Sequence, residues 1–448
     1  MTNGRHAASL IGVLFLGTVL ATTGSPVRAQ DAPAGGVEST TETPPAADPA
    51  AVAVPETVPA AAPTASNPAP SADSADSAAP VESGAGPAPA AAATSSGATP
   101  EAEPAKPTGP LVVVSWGGVY SQSQEEAIHH PFTRTTGIEI SRKVYGGGLD
   151  QLRAQVEAGQ VTWDVVDVDP ADAAAGCAEG LFQQMTFMLP DAADGTVASA
   201  DFLPGTLQPC AVGSQAWSML LAYSTGPDGV RADDASPASL QDFFDTDRFP
   251  GGRGLRRTPM ANLEWALLAD GAAPSEVYDL LRTQAGVARA FAKLDSIRDA
   301  IVWWDDPREP GRLLASGRVV MTSTYNAPAF ADIAVRQQPF ALIWDHQLWD
   351  IDLWAIPAGA PNSEAAQQFI RFATGTEPLA RQTRWIPYGP VRRSSAAEVG
   401  CYVHADVEMA GFLPTTEENL ATALRNDALF WREQGPALVA RFNAWLAR

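Results

Sequence analysis

Basic residues are scarce in this 448-residue chain: 29 Lys+Arg stand against 51 Asp+Glu, for a formal net charge of −22. Phosphate binding needs clustered Lys/Arg, so nucleic acid is excluded as the natural partner, and a cation or basic surface suits the chain better. Cysteine is nearly absent. Three thiols exclude a disulfide-dense mini-domain and any four-thiolate zinc site. The five histidines include no metal-binding pair, because adjacent His129 and His130 would point about 100° apart on a helix. Long apolar runs are also missing. Leu10 to Leu20 is too short to cross a bilayer core of about 30 Å, and no later segment reaches the roughly 18 apolar residues of a spanning helix. No GxSxG elbow, SxxK, HExxH or P-loop occurs, which removes the common signatures of exported hydrolases and nucleotide enzymes.

The short apolar run follows Arg5 and His6 and precedes Val27-Arg28-Ala29, the order of a signal peptide over 1–29 cleaved near Ala29. The expected location is the periplasm, without a lipid anchor, since no cysteine follows the apolar core. From 30 to 109 the chain is rich in Ala, Pro, Ser, Thr and Glu. Asp31 to Gly109 has no Leu, Ile or aromatic residue, and its one basic residue is Lys106. So little apolar surface cannot offset a backbone entropy of about 1–2 kcal/mol per residue, and the stretch reads as a disordered linker. All twelve tryptophans lie beyond it. The folded region is therefore 110–448, long enough for two lobes.

There the pattern alternates strand and helix. Leu111–Val114 and Val165–Val168 are β-branched runs suited to strands buried on both faces, with a further strand expected from Gly137 to Ile140. Helices are expected at Gln122–Thr135, Leu149–Ala158 and Ala171–Glu179. Later strands are expected at Ser218–Tyr223, Val319–Thr324, Ala341–Trp344 and Asp352–Ile356, and helices at Leu263–Ala269, Val277–Ile297 and Ala365–Ala373. Such alternation predicts an α/β fold with a parallel-rich sheet.

Ligands of open α/β sheets bind beyond the carboxyl ends of the strands. Those ends carry Trp116, Gly117-Gly118 and Tyr120, then Tyr145 and Gly146–Gly148, then Asp167 and Asp169, then Tyr325-Asn326, then Asp345, Trp349, Asp350 and Asp352. Carboxylates and aromatic faces together suit a cation, each face adding about 0.5–2 kcal/mol. Taken singly, Trp116 and Trp349 also read as packing residues, and Asp169 as a strand-end residue. The triple glycine lacks GxGxxG spacing, so no dinucleotide site, metal or other cofactor is expected. An acidic pair such as Asp167/Asp169 lies too near one strand tip to flank a sugar about 5–9 Å apart, as a glycosidase requires.

Several segments resemble one family: Val113-Val114-Ser115-Trp116-Gly117-Gly118-Val119-Tyr120, Trp163 to Asp169, Trp217 to Tyr223, Tyr325-Asn326-Ala327-Pro328, and Trp349 to Pro357. In order and spacing they are similar to the extracellular solute-binding proteins of ABC importers, in particular the spermidine/putrescine-binding group. The resemblance implies a two-lobed, type II-like periplasmic-binding-protein fold whose lobes are joined by crossover hinge strands and close on ligand. Lobe 1 would comprise 110–213 and 353–400, and lobe 2 214–352, with 401–448 a helical segment packing on them. It further implies a non-enzymatic, monomeric protein that captures a small cationic or amine-containing, polyamine-like solute for a permease and its ATPase. The aromatic walls would be Trp116, Tyr120, Tyr325, Trp349 and Tyr388, and the charge partners Asp169 and Asp352. Trp349 and Tyr388 fit the family positions only loosely.

One departure stands out. Thr258-Pro259-Met260-Ala261-Asn262 lacks the acidic residues that polyamine binders use for a second amine, and Arg256-Arg257 precede it. A buried second ammonium would be uncompensated there. A zwitterion with its carboxylate facing Arg256 or Arg257 is the alternative, although both arginines also read as a solvated strand edge. A ligand-presenting sensor and an exported hydrolase remain rival functions, and a ferric-binding protein would need clustered tyrosines. Cys177 and Cys210 could pair in an oxidising compartment, leaving Cys401 odd.

Overall fold

The structure is a computed structural model that describes residues 109–226, 229–230 and 236–448. The expected signal peptide and nearly all of the expected linker lie outside the described residues. Among the described residues no helix is long and apolar enough to cross a membrane.

Among the described residues eleven strands form one sheet: β1 Leu111–Ser115, β2 Ile140–Val144, β3 Val165–Val168, β4 Leu207–Gln208, β5 Ala211–Ser224, β6 Arg253–Arg256, β7 Ile301–Trp304, β8 Met321–Tyr325, β9 Phe340–Ala355, β10 Gly389–Pro390 and β11 Leu424–Arg425. The main path runs β2-β1-β3-β9-β5-β8-β6-β7. Strand β1 pairs in parallel with β2 and β3, and β6 with β7 and β8. These are βαβ units, in which every parallel return needs a helical crossover. The two parallel blocks join through β5 and β9, which are antiparallel to each other.

Those long strands serve two separate cores. In the first, Val113, Val114, Val165 and Val166 pack with Leu353, Trp354, Phe369 and Ile370. In the second, Leu255, Leu263, Trp265, Trp304 and Met321 pack with Phe430 and Phe442 of the last helix, Ala428–Leu446. Strand β5 passes from one core to the other, contributing Val212 and Ala216 to the first and Met219 and Leu221 to the second. Cys177 and Cys210 form a disulfide that ties the helix Pro170–Ala178 to the approach of β5, and Cys401 is free. Arg392 and Asp201 form a buried ion pair 2.9 Å apart. Four further donations and acceptances, from Thr374 O, Pro190 O, Ser394 N and Ser394 Oγ, satisfy that pair as burial demands.

The local reading of the sequence needs four corrections. The helix expected at Val277–Ile297 is two, Val277–Leu281 and Gln284–Asp295, the second capped by Thr283. The strand expected at Gly137–Ile140 begins only at Ile140, because Gly137 adopts φ 75 as the C-cap of the helix His130–Thr136. The helix before it contains a π turn, Glu125–His129, an inserted residue that sets Pro131 at the second position of the next segment, where its missing N–H is harmless. The two strands expected at Ala341–Trp344 and Asp352–Ile356 are one strand, β9. Its register against β5 shifts between Leu348 and Ile343, where His346 takes φ 54.

Candidate functional site

The carboxyl ends of β1, β2 and β3 meet those of β6 and β8 across the crossover strands. Just past β1, Gly117 takes φ 83, and a Cβ there would lie 2.8 Å from Val144 Cγ1. Only glycine fits, and the turn it allows starts the helix that carries Tyr120. The Tyr120 hydroxyl lies 3.4 Å from Ser214 Oγ, which donates to the Asp352 carbonyl at 3.0 Å. Ser214 and Gln215 form a bulge in β5 opposite Asp352, between the pairs Gly213–Leu353 and Ala216–Ile351. The inserted residue brings the Ser214 hydroxyl to Tyr120, while Gln215 donates to the Leu379 carbonyl at 3.0 Å. The Tyr388 ring packs 5.4 Å from that of Tyr120.

Asp167 lies at the base of this wall, fully buried. Its Oδ2 accepts from Gln124 Nε2 at 2.6 Å and Ser115 Oγ at 3.2 Å, while its buried Oδ1 has no hydrogen-bond partner among the described residues. The Tyr145 hydroxyl donates to the Asp167 carbonyl. Trp116 stacks on Tyr145 with ring centroids 5.1 Å apart, its indole N–H buried and likewise without a partner.

Burial dominates the electrostatics. It pushes Asp167 and Asp350 up to about 7 and Asp169 up to about 6. Asp352 is held well above the usual carboxylate range by burial, then by Asp167, Asp350 and Asp169. Among the described residues none of the four forms a salt bridge; after burial, Asp169 raises Asp350, and Asp172 raises Asp169. Asp169 caps the helix Pro170–Ala178, accepting from Asp172 N at 2.7 Å. Asp350 accepts from Asn426 Nδ2 at 2.7 Å.

The opposite wall carries the other sign. Arg256, at the end of β6, is half-buried and donates from Nη1 to the Tyr325 hydroxyl, with its guanidinium 5.4 Å from the centre of that ring. Among the described residues it has no carboxylate partner. Its neighbour Arg257 has a side chain 51% exposed, 3.6 Å from Asp305. Only Arg257 is the solvated edge residue; Arg256 is part of the crevice wall. Trp217 packs on Tyr325 at 5.8 Å. Asn326 accepts from Ser218 N at 3.0 Å and donates to the Pro387 carbonyl at 2.6 Å, holding the segment before Tyr388 against this wall. Burial first, then Asp352, Tyr325 and Asp167, raise the Tyr388 hydroxyl, so it stays protonated.

Of the residues expected from sequence, Tyr120, Tyr325, Tyr388 and Asp352 come together, with Asp169 contributing charge. Trp116, stacked on Tyr145, lies beside Asp167. Trp349 does not join them: it lies on the face of β9 opposite Asp350 and Asp352, in the first core, with Arg425 5.3 Å over its ring. Asp167, Tyr145 and Asp350 were visible as strand ends without an assigned role. Ser214 had no signal in the sequence, since the bulge that aims it is set by how β5 pairs with β9.

With this geometry in place, the comparisons with known proteins are direct. Residues 127–411 match the family described as bacterial extracellular solute-binding protein, and the chain belongs to it. A curated relative, the gamma-aminobutyric acid-binding protein of Pseudomonas aeruginosa, is 39% identical over 341 residues, 75% of this chain and 91% of the relative. The solved Atu4243–GABA receptor is 28% identical with TM-score 0.60, covering 75% of this chain and 97% of that one. An ABC transporter substrate-binding protein from Bradyrhizobium japonicum is 29% identical with TM-score 0.62, covering 75% and 99%. These neighbours are two-lobed binding proteins of ABC transporters, not enzymes, and this chain shares their fold and class: a substrate-binding component.

Proposed function

We propose that the crevice binds a short ω-amino acid zwitterion such as 4-aminobutyrate, and that the protein delivers it in the periplasm to an inner-membrane permease and its ATPase. The observation that carries this reading is the opposition of charges. Among the described residues, an arginine with no salt-bridged carboxylate faces Asp167 and Asp352, which have no salt-bridged cation, with Tyr120, Tyr388 and Tyr325 between them. An ammonium group meets Asp352 and Asp167; a carboxylate meets Arg256. The names of the Pseudomonas relative and the Atu4243 receptor support the same solute. A polyamine fits less well, because its second ammonium would lie beside Arg256.

In this reading Tyr120, Tyr325 and Tyr388 are the ring walls, Asp169 adds negative potential from a helix N-terminus, and Trp116 braces Tyr145. Trp349 is a packing residue. The lobes follow the two cores and divide within β5 and β9, so that the expected bounds 110–213 with 353–400 and 214–352 shift to place Ala216, Trp349 and Ile351 in the first lobe, with 401–448 packing on both. Ligand contacts to both walls favour the closed arrangement and shift the open–closed population. The test is calorimetry with 4-aminobutyrate, n-butylamine and putrescine. One-to-one binding with 4-aminobutyrate tightest is expected. Putrescine bound tightly while 4-aminobutyrate is ignored would overturn the reading.

A further inference from the structure

Arg256 is set in place by a residue that does not face the crevice. The chain leaves β6 through Arg257, Thr258, Pro259 and Met260, turns at Ala261, and enters the helix Asn262–Ala269. Ala261 is fully buried and takes φ 68, ψ −42, a conformation that L-residues with a side chain adopt only under constraint. The reversal points the Asn262 side chain back at the strand end. Its Nδ2 donates to the Arg256 carbonyl at 2.7 Å and the Thr258 carbonyl at 2.6 Å. Both partners are pure acceptors, so the amide nitrogen must face them, and its two hydrogens are both used. Asn262 is 1% exposed, and its oxygen has no partner among the described residues, so the side chain is buried for its donors. From the other side Arg256 N donates to Ser323 Oγ at 3.2 Å, and Trp304 Nε1 donates to that same oxygen at 3.2 Å.

We infer that Asn262 is a positioning residue: it clamps the Arg256–Thr258 turn so that the Arg256 guanidinium is already aimed when a ligand carboxylate arrives. The inference rests on the zwitterion reading and names the part of the fold that makes the arginine selective. A long, flexible cation is a poor receptor unless its backbone is fixed beforehand, because otherwise ordering is charged against binding. The strained Ala261 turn and the two-carbonyl clamp supply that fixation.

The experiment compares two probes, 4-aminobutyrate and 4-aminobutanamide, which share the ammonium and differ in the carboxylate. Calorimetry is run on the full chain with Asn262→Ala, Arg256→Ala and the double variant. Asn262→Ala is expected to weaken 4-aminobutyrate about tenfold or more and 4-aminobutanamide less than about twofold, with the double variant no worse than Arg256→Ala alone. Equal weakening of both probes, or additive losses in the double variant, would overturn the inference. If Asn262→Ala does not melt cooperatively, Asn262→Asp keeps the shape and loses the donors, and the same probe comparison decides. Loss of cooperative melting in both variants would make Asn262 a folding residue and overturn it as well. If Arg256→Ala itself leaves 4-aminobutyrate binding unchanged, the zwitterion reading fails first and takes the inference with it; a failure confined to Asn262 leaves that reading standing.

Discussion

On the first-core side of the crevice three buried carboxylates gather with a fourth, Asp169, half-buried, and on the second-core side one guanidinium sits half-buried against a tyrosine. The acidic wall resists ionisation: burial pushes Asp167, Asp350 and Asp352 upward, with like charge adding at Asp350 and Asp352, so it keeps protons at neutral pH. The basic wall is satisfied by neutral groups, a phenol hydroxyl and a ring face, which hold Arg256 without neutralising it. One pole waits for a positive charge to release its protons, and the other keeps a permanent charge on display. Affinity should therefore be concentrated at the acidic pole and discrimination at the basic one.

Breaking the acidic pole should have the largest effect. Asp352→Ala is expected to weaken 4-aminobutyrate binding by about 2–5 kcal/mol, the range for truncating one partner of a buried charge pair, measured by calorimetry. An unchanged dissociation constant would remove Asp352 from the site. Arg256→Met should cost about 1.5–3 kcal/mol for 4-aminobutyrate, the worth of hydrogen bonds to charged groups, and little or nothing for n-butylamine. Equal losses for both solutes would erase the division of labour between the walls.

The pH dependence sharpens the same contrast. Asp167 and Asp350 titrate near 7 in the fold and Asp169 near 6, against an ordinary value of 3.8, so the native state holds protons that the unfolded chain has released. Between the unfolded and folded values the native state binds more protons. The stability these groups contribute is therefore full below the unfolded value and is lost as pH rises through the folded one. An ammonium guest needs the ionised carboxylates. Affinity should climb from about pH 5 to about pH 8, with protons released on binding. Calorimetry in two buffers of different ionisation enthalpy reads the proton count; a flat profile would mean that the carboxylates are ionised without ligand. The smallest effect on affinity should come from replacing Cys177 and Cys210 by serine. The chain should lose about 2–5 kcal/mol of stability in a denaturant melt, with the dissociation constant unchanged, because the disulfide lies behind the first core.

Much of this was legible in the sequence. Val112–Val114 and Val165–Val168 announce buried strands by composition, and the residues just past them are those the parallel topology delivers to the crevice. What stayed hidden was decided by partners distant in sequence. Arg256 and Arg257 are alike on paper, and only the pairing of β6 with β8 places one under Tyr325 and the other in solvent. Strand β7, Ile-Val-Trp-Trp, is too short to show a period. Trp349 and Asp350 look equally eligible as ligands until alternation along β9 sends them to opposite faces. Ser214 acquires its role from a bulge, which depends on how β5 meets β9 and on nothing local.

The interleaving of the two cores has a kinetic side. The first core lacks Phe369, Ile370 and Val391 until the chain has crossed into the second core and returned, and the second lacks Phe430, Trp431 and Phe442 until residues 428–446 arrive. Neither half can be completed from a leading fragment. A chain wired this way, with its contacts so remote in sequence, should fold slowly and only once nearly all of it is present.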